Sequence, residues 1–412
     1  MKATQLRSLY LLPLFAIMLI GCAQQPGTPS PIAVQDSSGV TIIDNLSPAW
    51  DADTGWQVDA TPAFSIGELE GDPAYLFAAI TGVRQLSDGR IVVAEGRASE
   101  LRFYDHTGSY LSSVGRKGQG PGEFEYISFL GVSEGDTLVA GDAAYRISVY
   151  DAEGRYVRTS QIAPTADEHN PIATALLGRD HLITLSGTLG FGWNDTGRVL
   201  SDTMRYYIHT TQGAYRTRLR LLPARQRWGL KAEGIVSFPY LPLTTGPSVA
   251  TSSEHVYLGT GRRAEIEEYD QEGQLVRILR WNVADKAVDG PMRDQYGQDL
   301  LADYPPGHER RARWEAFLSE APFPERLPVY QSLLVDAEEH LWVEAYRPAW
   351  DHDPRWYVFN REGQWMGVVE TPASFQPFEI GTDYLLGIHR DEHGIQRVHH
   401  YALRRDARTP RS

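Results

Sequence analysis

One short pattern recurs along this chain and limits what it can fold into. It reads FYDHTGSYL at 103–111, VYDAEGRYV at 149–157, EYDQEGQLV at 268–276 and VFNREGQWM at 358–366, with a degenerate copy, YIHTTQGAY, at 207–215. Each copy is a β-branched or aromatic run, an acidic residue or Asn, two polar residues, a Gly and a second apolar run, which is a strand, a tight turn and a returning strand. A second turn signal precedes three of the copies: Leu86-Ser87-Asp88-Gly89 before Ile91, Glu134-Gly135-Asp136 before Leu138, and Ala337-Glu338-Glu339 before Leu341. Two hairpins per unit make a four-stranded antiparallel meander of about 40 residues.

A lone meander of that size cannot bury both of its faces, and strands such as Trp356-Tyr357-Val358-Phe359 are apolar on both. Sheets packed face to face around an axis cover every face at once. Units are expected at about 83–114, 129–160, 172–218, 247–280 and 330–370, with a partial sixth at 375–403 that lacks its last strand. Ala63-Phe64-Ser65-Ile66, which precedes the first full unit, is the expected missing strand. Its addition would close a ring and remove the two exposed sheet edges. The expected fold is therefore all-β, a six-bladed β-propeller closed by an N-terminal strand, over residues 37–412.

The longest break in the pattern, 282–328, reads as two short helices, around Asp289–Leu301 and Glu309–Leu318. In the second, Trp314, Phe317 and Leu318 fall at helical spacing. This insertion between blades 4 and 5 is expected to cap one mouth of the ring with Trp314 and Phe317 turned inward, the alternative being packing against the outer blade wall.

Gly115-Arg116-Lys117-Gly118-Gln119-Gly120-Pro121-Gly122-Glu123-Phe124, followed by Gly131-Val132 and by Arg146-Ile147-Ser148-Val149-Tyr150-Asp151, resembles the NHL repeat. The body as a whole resembles the six-bladed propeller lipoproteins of environmental bacteria and, distantly, the SMP-30/gluconolactonase class. The match is specific over about 64–160, and blades 3 and 4 lack the Gly-Pro-Gly-Glu-Phe element. That element leads to a strand and not to a helix, so it is read as an interblade turn, with Phe124 wedged between blades and Glu123 accepting backbone N–H bonds, and not as a phosphate cradle.

Ahead of the body, Lys2 and Arg7 precede an apolar run from Leu9 to Ile20, and the run ends at Leu19-Ile20-Gly21-Cys22. As a helix the run would span about 18 Å, short of the roughly 30 Å hydrocarbon core, so residues 1–21 read as a signal peptide. Leu-Ile-Gly-Cys resembles the lipobox of bacterial lipoproteins, which implies acylation of Cys22. Ala23 is not the Asp that resembles an inner-membrane retention signal, so the expected location is the cell envelope, with the outer membrane favoured over the inner. Residues 22–36, with Gln-Gln-Pro-Gly-Thr-Pro-Ser-Pro, are expected to form a flexible tether. Cys22 is the only cysteine, so no disulfide can form within the chain. Removing residues 1–21 takes Lys2 and Arg7 with it and moves the formal net charge from −14 to −16. A body this acidic is not expected to bind nucleic acid.

Loops between the two middle strands of each blade, and loops between blades, should share one end of the ring. Arg97, Arg146, Trp228, Arg262, Arg263, Trp314, Arg347 and Trp350 all map there, near Glu95 and Asp142. Arginine and tryptophan together suit recognition of a glycan, a peptide or an envelope protein. The expected function is a membrane-anchored binding module with no cofactor. The alternative is a metal-dependent lactonase, hydrolase or lyase on the same scaffold, using a divalent cation. For that reading the chain supplies only scattered candidates: Asp351-His352-Asp353, His389, His393, His399 and His400. Adjacent strand residues point to opposite faces, so His399 and His400 cannot share a metal. Gly131-Val132-Ser133-Glu134-Gly135 has the Gly-x-Ser-x-Gly spacing, but it runs into the turn before Leu138 and not into a helix, so it is not read as a nucleophile elbow.

Overall fold

The structure, a computed structural model, describes residues 31–50, 55–187 and 190–405. The signal peptide, Cys22 and most of the tether lie outside these residues.

Alternating apolar residues and turn glycines produce six successive four-stranded antiparallel sheets. Blade 1 is Ile80–Gln85, Ile91–Glu95, Glu100–Tyr104 and Tyr110–Val114. Blade 2 runs from Ile127–Ser133 to Tyr156–Gln161, and blade 3 from Ile172–Leu177 to Tyr215–Pro223. Blade 4 runs from Ser248–Thr251 to Leu275–Trp281, and blade 5 from Tyr330–Val335 to Trp365–Glu370. Blade 6 supplies three strands, Phe375–Ile380, Tyr384–Arg390 and Gln396–Arg404. Its fourth is Phe64–Ile66, which pairs antiparallel with His400, His399 and Val398. The chain is a six-bladed β-propeller closed by its N-terminal strand, as the repeat pattern predicts.

Side chains from facing sheets fill each gap between blades. Leu101, Phe103, Phe124, Leu130 and Tyr150 join blades 1 and 2. Ile66, Val83, Ile91, Leu386 and Val398 join blade 6 to blade 1 across the closure. Both faces of Trp356–Phe359 are covered, since Trp356 packs toward blade 6 while Phe359 packs toward blade 4. Burial of one such side chain stabilises by about 1.5–3 kcal/mol, so the blade interfaces carry the fold.

The N-terminal segment does more than close the ring. Residues 32–36, expected in the tether, are instead part of a strand, Ile32–Ser37, that forms a hairpin with Val40–Asn45. The second strand of this hairpin pairs parallel with Leu275–Trp281 and widens blade 4 to six strands. The edge of blade 4 offered unpaired backbone groups, and Val40–Asn45 satisfies them. Asn45 is buried and ties two blades: its Nδ2 donates to the carbonyls of Arg280 and Gly363, and its Oδ1 accepts from the Trp365 N–H. Trp50 then lies on Gly367, where an added Cβ would meet the indole at 2.5 Å, so this contact requires glycine. Gln57–Val58 pairs with Arg404 and Leu403 before the chain reaches Phe64. A belt along the outer edges of blades 4, 5 and 6 thus precedes the closing strand.

Helices α1 (Gly290–Ala302) and α2 (Arg311–Glu320) occupy the insertion, as expected. Asp289 caps α1 by accepting from the Met292 N–H at 3.0 Å. No helix among the described residues is long and apolar enough to cross a membrane.

Ile66 is almost fully buried at the closure. Ile66→Ala should cost about 2–5 kcal/mol, read as a lowered urea midpoint in equilibrium unfolding.

Candidate functional site

Each first strand runs from the interblade end of the ring to the opposite end, so the six first strands wall a central cavity of 1190 Å³. The wall carries Thr81, Ser128, Thr174, Thr251, Ser332 and Gln376, together with one charged pair. At the end away from the interblade loops, the rim is built by the first turns of blades 2, 3 and 4: Glu134, Gly178–His181 and Ser252–Glu254. Arg179 and Glu134 form an exposed ion pair on that rim. No residue of the interblade loops or of the insertion lines the cavity.

The charged pair is Arg84 from blade 1 and Glu379 from blade 6. Arg84 Nε lies 3.8 Å from Glu379 Oε2, and its Nη1 donates to the carbonyls of Val83 and Phe378 at 2.8 Å. Glu379 accepts from the Tyr384 hydroxyl and from the Gln85 N–H. Burial raises the Glu379 carboxyl above its ordinary range, against the opposing pull of Arg84 and these hydrogen bonds. Burial likewise lowers the Arg84 guanidinium. The closure of the ring creates this pair, because its two members are 295 positions apart in the chain.

Most residues singled out from the sequence lie at the interblade end, yet they do not converge on one pocket. Arg146 is structural: its side chain is 11% exposed, it is paired with Asp142, and it donates to the carbonyls of Gln119, Gly118 and Glu123. Asp142 accepts from the N–H groups of Glu125, Tyr126 and Ala144. Glu95 does the same in blade 1, for Ala78, Ala79 and Arg97. These carboxylates pin the interblade loops, and buried backbone donors leave them no choice of partner. Glu123 accepts from the Gly120 N–H and Phe124 is fully buried, as the interblade-turn reading expects.

Trp228 and Trp314 belong to one small core with Leu230, Leu241 and Phe317. The insertion therefore packs on the blade 3–4 connector, and the expected inward-facing cap of Trp314 and Phe317 over the mouth is corrected. Apolar surface on the connector hairpin, which the repeat pattern does not reveal, captures both side chains. Trp350 packs beside Leu243, Val288 and Leu327, and Arg347 pairs with Glu344 at 3.4 Å. Arg97, Arg262 and Arg263 are exposed in the turns between the two middle strands of blades 1 and 4.

His399 and His400 project to opposite faces, as strand geometry predicts. His399 stacks on His389 with ring centroids 4.8 Å apart, while His400 lies between Phe64 and Tyr384. Among the described residues no group of three or more His, Cys, Asp or Glu side chains is disposed to hold a metal ion.

Residues 66–172 match a family model described as a 6-bladed beta-propeller. These are the blades pinned by Glu95 and Asp142. No curated protein matches the chain. Among solved structures, a member of the DUF4221 family from Bacteroides vulgatus is similar over 86% of this chain and 99% of its own, at 11% identity and a TM-score of 0.50. A protein described as exported, from Bacteroides fragilis, aligns over 89% of this chain and 99% of its own, at 12% identity and a TM-score of 0.44. Virginiamycin B lyase from Staphylococcus aureus aligns over 85% and 99%, at 11% identity and 0.38. What the DUF4221 protein shares with the chain is the fold alone.

Burial, followed by the neighbouring His389 and Arg397, lowers His399 to about 4, against an ordinary value near 6.5. Between pH 6.5 and 4 the unfolded chain takes up a proton that the folded chain refuses. Stability is therefore lost as pH falls through that window. Urea midpoints measured from pH 7 to 4 should fall less steeply in His399→Gln than in the parent.

Proposed function

We propose that this protein is a lipid-anchored propeller of the cell envelope that binds a polar ligand, an oligosaccharide of a few units, in its central cavity. The observation that supports this reading most is the cavity itself. At 1190 Å³ it exceeds the ~300–1,000 Å³ common for small-molecule pockets. Its Ser, Thr and Gln side chains offer donors and acceptors suited to sugar hydroxyls, and the Arg84–Glu379 pair adds a fixed charge-assisted contact. This reading moves the site from the arginine-bearing mouth expected from the sequence to the channel wall.

Anchoring rests on Leu19-Ile20-Gly21-Cys22 and the short apolar run before it. Placement in the outer membrane, where there are two, rests on Ala23 following the cysteine. A catalytic alternative on the same cavity has one observation in its favour. Glu379, held toward its protonated form by burial and touched by Tyr384, is suited to donate a proton in a lyase or hydrolase step without a metal. Retained ligand binding with lost turnover in Glu379→Gln would select that alternative.

Two outcomes test the proposal. Calorimetric titration with neutral oligosaccharides of two to four units should show binding that Ser332→Trp abolishes by filling the cavity, while Arg262→Glu with Arg263→Glu leaves it intact. Binding that survives the filled cavity would overturn the assignment. Separately, Cys22→Ser should abolish incorporation of labelled palmitate and release the protein from the membrane fraction.

A further inference from the structure

The described chain enters the ring at its interblade end. Val40–Asn45 runs parallel to Leu275–Trp281, whose last residue is at the interblade end. Ile32 pairs with Asn45, and the Leu46 N–H donates to the Pro31 carbonyl, so Pro31 sits at that end, on the outer edge of blade 4. Eight residues, 23–30, lie between this point and Cys22. Fully extended they reach about 30 Å.

The same end carries an exposed apolar surface on the adjacent blade 3, with two half-buried arginines beside it. Its middle-strand loop and the blade 3–4 connector are joined by the Val199–Trp228 pairing and by the contact of Phe191 with Phe238. On this joined structure Trp193 is 73% exposed, Ile235 at its hairpin tip 50%, and Tyr240 43%. The guanidiniums of Arg225 and Arg227 lie 4.6 and 3.9 Å from the Tyr240 ring centroid. Neither arginine has a carboxylate within ion-pair distance among the described residues. Arg225 donates to Thr244 Oγ1 and Arg227 to the Phe238 carbonyl, so both are held in place without being neutralised.

We propose that the interblade end of blade 3, through Trp193, Ile235, Tyr240, Arg225 and Arg227, rests on an anionic phospholipid surface. Exposed tryptophan and tyrosine suit the headgroup level of a bilayer, and unpaired arginines suit lipid phosphates. A body of net charge −16 is repelled by such a surface as a whole, so a local cationic patch beside the tether is what fixes the approach. The cavity rim at the opposite end is then turned away from the membrane. The orientation rests on the anchor reading, whereas the surface chemistry stands apart from it.

The test uses the full acylated protein, with acylation verified by mass so that failure of the anchor is seen first. It is reconstituted into vesicles of phosphatidylethanolamine with phosphatidylglycerol, and into vesicles of phosphatidylcholine alone. Acylated Cys22 carries no free thiol, so an environment-sensitive dye can be placed by Ile235→Cys at the interblade end or by His106→Cys at the other. The dye at 235, and not the dye at 106, should be quenched by spin-labelled lipid, more strongly in the anionic vesicles. Each of two further changes, Arg227→Gln and the exposed, fold-neutral Trp193→Ser, should reduce the quenching. Loss of one arginine should weaken docking about fivefold. Equal quenching at both positions, quenching at neither, or preferential binding to purified peptidoglycan would overturn the proposal.

Discussion

The structure depends on one β-pairing, Phe64–Ile66 against Gln396–Arg404. Six meanders arranged radially cover one another's apolar faces, but a ring left open exposes two of those faces and two strand edges. A strand from one end of the chain, laid on the last sheet, removes both liabilities at once. The contacts are few, since only three residues pair. Ile66 nevertheless joins a core that includes Val83, Ile91, Leu386 and Val398, so the pairing is made strong by what it buries. The strands Ile32–Ser37, Val40–Asn45 and Gln57–Val58 line the outer edges of blades 4 and 6, and Trp50 lies on blade 5, before the chain reaches the closing strand.

Closure also makes the cavity and its charge. Arg84 lies in the first full blade and Glu379 in the last, and only the closed ring sets them together. Both are displaced from their ordinary protonation equilibria by the same cause, removal from water, and each partly offsets the other's cost. At the opposite end the long connectors do a different job. The blade 3–4 hairpin, the two helices and the blade 5 loop spend their tryptophans on one another, as Trp228, Trp314 and Trp350 show. What they leave exposed is a narrower set of aromatic and cationic groups than the sequence suggests.

Much of the fold was legible because its signals are local. A Gly that takes positive φ marks each outer hairpin, after an acidic residue or Asn in all but the blade 3 copy, and strands apolar on both faces demand neighbours on both sides. The opposite orientations of His399 and His400 follow from the two-residue period of a strand. The site was less legible. Arg146 looks like a surface arginine until its three carbonyl partners are seen. Asp142 and Glu95 look like rim carboxylates until the backbone donors that consume them are in view. Those partners belong to the preceding interblade loop, 16–28 residues back, or to the adjoining turn, and composition carries no trace of them. The hairpin of 32–37 with 40–45 was missed for a related reason, since what holds it is the pairing of Val40–Asn45 with Leu275–Trp281 of blade 4, more than 200 residues away.

By itself, then, the amino-acid order determines the number of blades, the closing strand, the place of the helical insertion and the lipobox-like start, because each of these is written in spacing and turn chemistry within a few residues. Tertiary structure alone decided where the polar cavity opens, which arginines are spent on backbone carbonyls and which remain unpaired. Those outcomes depend on which distant groups meet when six sheets close around an axis, and hydrogen-bond and ion-pair satisfaction is settled only at that meeting.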